Sequence, residues 1–259
     1  MNNTTGAERR RAGILPIALL GLTAVFCQAA PANPGSQDMT QTQTVSEPLS
    51  ARQQTIVPIA AFAAAGDISR LGVALNRGLD AGLTVSDVRE VLVQVYAYAG
   101  FPRSLNALGE LMKVLEARRQ QGIQDAPGDA PSRPIPAGEA LRAAGTANQT
   151  KLVGEPVQGP LFDFAPTIDE YLKTHLFGDI FERDNLDWQS RELATVGMLS
   201  ALPGVEAQLR SHMRISMNVG LTVSQLDQLV QVLTERVGTE SATRARIALN
   251  QTLATSPKR

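Results

Sequence analysis

Apolar positions recur at helical spacing along most of the chain, and no segment alternates as a half-buried strand does. Val88, Val91, Leu92 and Val95 fall on one face of a 3.6-residue period, and Leu226, Leu229, Val230 and Leu233 repeat the arrangement. Each face follows the same pentapeptide: Gly82-Leu83-Thr84-Val85-Ser86 and, 138 positions later, Gly220-Leu221-Thr222-Val223-Ser224. This pentapeptide reads as a corner between two helices. The glycine suits the left-handed position that closes one helix, the threonine caps the next, and Asp87 or Gln225 stands at the capping-box position. Leu83 and Leu221 are placed to staple onto Val88 and Leu226. The pattern predicts an all-α fold of two copies of one helical unit, each burying its faces against its own hairpin and against the other copy.

Interruptions of the pattern set the expected boundaries. Residues 30–50 are rich in Gln, Thr, Ser and Pro and poor in apolar residues, which predicts a flexible tether. Residues 122–158 carry Pro127, Pro131, Pro134, Pro136 and Pro156 with several glycines, which predicts a linker holding a short helix around 139–144. The units then occupy 51–121 and 159–255. Ahead of them, Arg9, Arg10 and Arg11 precede an apolar run over 14–26 and small residues, the pattern of a signal peptide over about 1–29. Cleavage fits after Ala29 or after Ala32. Cys27 offers a lipid-modified start as the alternative, although bulky Phe26 before it fits that processing poorly. The expected location is periplasmic or secreted, with no stable membrane span once the signal is removed.

Composition narrows the chemistry. Hydrophobic residues make up 43% of the chain, enough for an ordinary core, and 24 basic side chains stand against 25 acidic ones. That balance, with no basic run interleaved with aromatics, argues against nucleic acid as a partner. Cys27 is the only cysteine, so no disulfide framework supports the mature protein and packing must do so. The two histidines, His175 and His212, lie 37 positions apart and no metal-ligand spacing surrounds them. Asp179, Asp184 and Asp187 read as turn and cap residues. No glycine-rich phosphate loop is present, so neither a metal nor a nucleotide cofactor is expected.

The segment Gly178-Asp179-Ile180-Phe181-Glu182-Arg183-Asp184-Asn185-Leu186-Asp187-Trp188 leads into Arg191-Glu192-Leu193-Ala194-Thr195, then Gln208-Leu209-Arg210-Ser211-His212, then the second corner. In this order the motifs resemble the carboxymuconolactone decarboxylase family. In the first copy, Gly82-Leu83-Thr84 followed by Tyr96-Ala97-Tyr98-Ala99-Gly100-Phe101-Pro102 is similar to the second half of the same domain. The resemblance spans about 52–237, the linker excepted. It implies a small helical domain that assembles into trimers or hexamers, in a superfamily holding both lactone decarboxylases and alkylhydroperoxidase D-type disulfide reductases. The reductases use a Cys-x-x-Cys pair followed four residues later by His. Against His212 that pair falls on Val205 and Gln208, and neither forms the thiolate that disulfide exchange requires.

What remains is an acid–base pair. Helices over 188–201 and 205–218, joined by the turn 202–204, would bring Glu192 and His212 to similar heights on antiparallel neighbours. A carboxylate beside an imidazole fixes its tautomer and favours its protonated form, which suits proton delivery. Decarboxylation of a small carboxylate or lactone needs such a donor, and His212 is the candidate acid. The competing reading makes His212 a polar contact in a non-enzymatic binding or assembly module. His175 has ordinary helical flanks and reads as structural. Arg191 and Arg210 offer forks for an anionic substrate, with Arg191 preferred. Tyr96, Tyr98 and Phe101 either wall an apolar pocket, with a phenol at its edge, or simply fill a core.

The two copies have diverged in complementary ways. Where the second has Glu192 and His212, the first has Gln54 (or a neighbour) and Ala74. Where the first has Tyr96, Tyr98, Phe101 and Pro102, the second has Thr234, Arg236, Thr239 and Glu240. The expectation is one composite site within the chain, its aromatic wall from the first copy and its histidine from the second.

Overall fold

The computed structural model describes residues 47–255, so the expected signal segment and most of the expected tether lie outside the described residues. Helices account for the regular structure, and no strand occurs among the described residues. The first repeat consists of α1 (Ala51–Ala65), α2 (Ile68–Asp80), α3 (Val85–Ala99) and α4 (Phe101–Gln120). An insert follows: α5 (Glu139–Val153), the short α6 (Pro160–Phe164) and α7 (Pro166–Tyr171), and a π-helical run over Leu172–Ile180. The second repeat consists of α8 (Trp188–Ala201), α9 (Glu206–Asn218), α10 (Val223–Arg236) and α11 (Thr239–Thr255).

The corners form as their residues dictate. Thr84 and Thr222 cap α3 and α10, and both complete a capping box, with Asp87 and with Gln225. The glycines before them, Gly82 and Gly220, hold φ of 90° and 99°. The 138-residue register extends to the earlier corner, where Gly66 (φ 72°) and Gly204 (φ 82°) occupy matching turns.

α1 and α8 cross at the centre of the molecule, and α1 offers a run of small and β-branched residues there, including Val57, Ala60, Ala61 and Ala64. The approach is close: a Cβ on Gly197 of α8 would stand 2.7 Å from the Val57 carbonyl oxygen. Around this axis the repeats exchange contacts reciprocally, with α3 packing on α8 and α10 packing on α1. A polar ladder ties the first of these pairs, because Gln94 donates to the Arg191 carbonyl (3.0 Å) and to Thr195 Oγ1 (2.7 Å).

Two expected boundaries need correction. Residues 47–50 of the expected tether are fixed to the second repeat: Gln225 Nε2 donates to the Glu47 carbonyl, the Leu49 amide donates to Gln228 Oε1, and Leu49 is only 2% exposed. One apolar side chain in a polar run was too weak a signal to mark this docking. The expected linker is also docked structure. Its backbone at Ala126 and Pro127 accepts from the Val85 and Ser86 amides at the start of α3, and its helix extends over Glu139–Val153. That helix buries only Gly145, Gln149 and Leu152, an apolar face too sparse to show as periodicity.

Candidate active site

Glu192 and His212 stand on the consecutive helices α8 and α9. Asp187 caps α8 by accepting the Ser190 amide at 2.8 Å, and the turn through Gly204 reverses the chain into α9. Glu192 Oε2 and His212 Nδ1 then lie 2.8 Å apart, with Glu192 wholly buried and His212 only 7% exposed. Glu192 Oε1 has no hydrogen-bond partner among the described residues. Because Nδ1 is engaged, Nε2 is the ring nitrogen available to a ligand. The Tyr98 ring, from α3 of the other repeat, meets the imidazole edge-on with centroids 5.6 Å apart. Burial, and then the negative charge of Glu192, push the Tyr98 phenol above its ordinary range, so it is a neutral hydroxyl able to donate a proton in a hydrogen bond.

This cluster opens on a cavity of about 720 Å³. α9 supplies Gln208, Arg210, Ser211, Arg214 and Ile215 beside His212, and α3 supplies Ala97 and Tyr98. The opposite wall comes from the insert, with Gln149 and Val153 of α5 and Leu172, Leu176 and Phe177 of the π-helical run. The insert side is largely apolar but also carries the Gln149 amide and the Glu155 carboxylate, and the α9 side carries two arginines.

Not every residue expected at the site reaches it. Arg191 does not: its side chain is wholly buried behind the cavity, 3.0 Å from Glu90 and 2.8 Å from the Arg183 carbonyl, with the Phe181 ring beneath it. Burial lowers the Arg191 guanidinium below its ordinary value, and Glu90 opposes that loss. For Glu90 the balance goes the other way: burial alone would raise it, but hydrogen bonds from Arg183 and Asn185 and the charge of Arg191 hold it below the usual carboxylate range. Arg191 is therefore an internal tie between α3 and α8, and of the two arginines expected at the site only Arg210 lines the cavity.

Of the three aromatics, only Tyr98 lines the cavity. Tyr96 stacks on Phe101 at 4.6 Å, and Phe101 is 62% exposed, because Gly100 turns the chain outward between them. His175 sits on the surface of the π-helical run with Nδ1 2.8 Å from Asp179. The expectation of an ordinary helix there also needs correction, since the run from Leu172 shifts to i→i+5 bonding where it packs on α5. Val205 and Gln208, which stand where the reductases have their cysteines, do line the cavity.

Arg214 and the whole insert wall also line the cavity, beyond the residues expected there. Arg214 had a usable signal, since it stands one helical turn after Arg210 on α9. The insert had none, because its contribution depends on α5 docking. Among the described residues no cluster of His, Cys, Asp and Glu is arranged to hold a metal ion. No helix among them is long and apolar enough to cross a membrane.

The model of the carboxymuconolactone decarboxylase family matches the chain twice, over residues 38–112 and 166–251, one match on each repeat. A 4-carboxymuconolactone decarboxylase of Acinetobacter baylyi is 33% identical over 70 residues. That stretch is 27% of this chain and 52% of the relative, so the chain spans about half the length of the protein it matches.

Proposed function

The chain belongs to the carboxymuconolactone decarboxylase family, and on that premise we propose that it is a cofactor-free carboxy-lyase acting on a small carboxylated or lactone substrate. The observation that carries this reading is the buried Glu192–His212 pair at the wall of a cavity whose rim bears Arg210 and Arg214. The arginines bind the substrate anion, and the apolar insert wall holds its body. Cleavage of the bond to the carboxylate carbon releases carbon dioxide and leaves the bonding electron pair on the substrate as an enolate or carbanion. His212 delivers the proton from Nε2 to that carbon and regains one from solvent, while Glu192 keeps Nδ1 protonated and the ring oriented.

A non-enzymatic assembly module would leave His212 in a dry interface; its place on an open cavity favours the enzyme. A thiol-based reductase finds no nucleophile at Val205 or Gln208. The same reading includes export through the N-terminal segment and self-association into trimers or hexamers, for which exposed Phe101, Leu105 and Met112 on α4 supply an apolar stripe.

The test is a panel of lactone acids and keto acids assayed for carbon dioxide release by the intact protein and by His212→Ala. Loss of about 10²–10⁴-fold in turnover on one or more substrates is expected from removing a general acid. Equal release by both proteins across the panel would overturn the proposal.

A further inference from the structure

The register that relates the two repeats also relates two cavities. The α8 and α9 residues around His212 have counterparts 138 positions earlier, and Arg236 of α10 stands 138 positions after Tyr98 of α3. Because α10 packs on α1 as α3 packs on α8, Arg236 enters the first repeat where Tyr98 enters the second. A second cavity, of about 150 Å³, lies there. Ala74 takes the place of His212 in its wall, and Gln54 takes the place of Glu192 behind it. No acid–base pair remains.

What replaces it is positive charge. Arg70 lines this cavity in place of Gln208, Arg77 in place of Ile215, and Arg236 in place of Tyr98. No carboxylate lines it. Arg70 is paired with Asp67 at 2.6 Å, bonds the Val237 carbonyl, and lies over the Phe62 ring with its guanidinium carbon 4.7 Å from the centroid. Arg236 meets only a neutral partner, Gln54 Oε1, at 3.3 Å. Arg77 has no ion pair among the described residues. Two guanidinium groups thus face the cavity without a counter-charge, over a floor of Pro58, Phe62, Val73 and Ala74.

We infer that this cavity is a non-catalytic binding site for a small organic carboxylate. Arg77 and Arg236 hold the anion, and Phe62 with Pro58 takes the apolar body. The apolar floor selects an organic anion over inorganic phosphate, which would leave those side chains unused. The site does not depend on His212 acting as a catalyst, since no residue of the Glu192–His212 pair contributes to it.

Titration calorimetry on the full chain tests the assignment, with succinate, benzoate and inorganic phosphate as ligands and four proteins: wild type, His212→Ala, Arg210→Gln, and the double variant Arg77→Gln/Arg236→Gln. Expected is binding of at least one organic carboxylate that survives His212→Ala and Arg210→Gln, weakens with salt, and falls at least about tenfold in the double variant. Phosphate should bind more weakly than that carboxylate. Arg77→Gln alone changes an exposed side chain and leaves the fold intact, so a loss of about threefold there excludes a folding artefact. Unchanged affinity in the double variant, loss in Arg210→Gln instead, no binding to wild type at millimolar ligand, or phosphate binding as tightly as the carboxylate would overturn the inference.

Discussion

Tyr98 and His212 come from different repeats, yet their rings meet edge to face, 5.6 Å apart at 77°. The contact exists because α3 of the first repeat packs on α8 of the second, which carries Glu192. The Tyr98 hydroxyl is itself buried and pairs with no group among the described residues, so its donor is unclaimed at the wall of a cavity that both repeats help to build. Tyr98→Phe keeps the ring and removes the donor, so turnover should fall about tenfold with little change in melting temperature, one hydrogen bond in the transition state being worth roughly that much. Tyr98→Ala should also loosen the α3–α9 contact and lower stability by about 1–3 kcal/mol, less than for a fully buried aromatic. Full activity in both variants would show that the site belongs to one repeat.

Glu192 has no solvent exposure and bonds His212 through one oxygen. Glu192→Gln preserves the shape of that contact but removes the charge that stabilises the imidazolium, so kcat should fall by roughly 10–100-fold with KM nearly constant. Steady-state kinetics on whichever substrate the panel identifies would check this. A rise in KM alone would mean that Glu192 serves binding.

Arg191 and Glu90 form a buried tie that Arg183 also reaches, its Nη2 2.7 Å from Glu90 Oε1. Arg191→Met should cost about 3 kcal/mol in urea denaturation, at the low end for a broken buried pair, because Arg183 continues to hold Glu90. Arg191→Met combined with Glu90→Gln should cost less than the single change. The pH dependence has a definite sign. Glu90 titrates below its unfolded value, so its contribution is complete above about pH 4.5 and is lost as pH falls through the lower folded value. Glu90→Gln should therefore flatten the acid limb of the stability curve; an unchanged limb would remove Glu90 from that account.

Two glycines set how closely the helices approach. A Cβ on Gly145 of α5 would stand 1.7 Å from the Lys173 carbonyl oxygen, and one on Gly197 of α8 would stand 2.7 Å from that of Val57. Both oxygens are backbone, so whole helices must move. Gly197→Ala should lower stability by about 1–3 kcal/mol, despite the better helix propensity of alanine. Gly145→Ala should act locally, undocking α5 from the π-helical run and opening the cavity wall. Limited proteolysis should then cut within 122–158 while the melting temperature of the repeats changes little. Protection equal to wild type would mean that α5 is not held by this contact.

Much of this architecture was legible along the chain because its determinants are local. A helix corner needs a left-handed glycine, a capping hydroxyl and a staple within a few residues, and Gly82-Leu83-Thr84 and Gly220-Leu221-Thr222 carry all three. Two helices of known length with a short turn between them also place Glu192 opposite His212 with no knowledge of the rest. Both repeats and the geometry of the pair follow from that.

Tertiary packing alone decided which arginine is buried and which is free. Arg191 and Arg210 are chemically identical, but α8 is buried on every side and α3 brings Glu90 against Arg191, whereas Arg210 lies exposed on α9 at the cavity. The same holds for the insert, whose sparse apolar residues carry no periodicity, and whose π-helical hydrogen bonding arises where Gly145 and Gly178 let α5 and the following run close to backbone contact. Sequence determines the elements because their energetics lie within a few turns of chain. Cavities, buried charges and exchanged side chains depend on which faces meet, and that is settled only when distant elements pack.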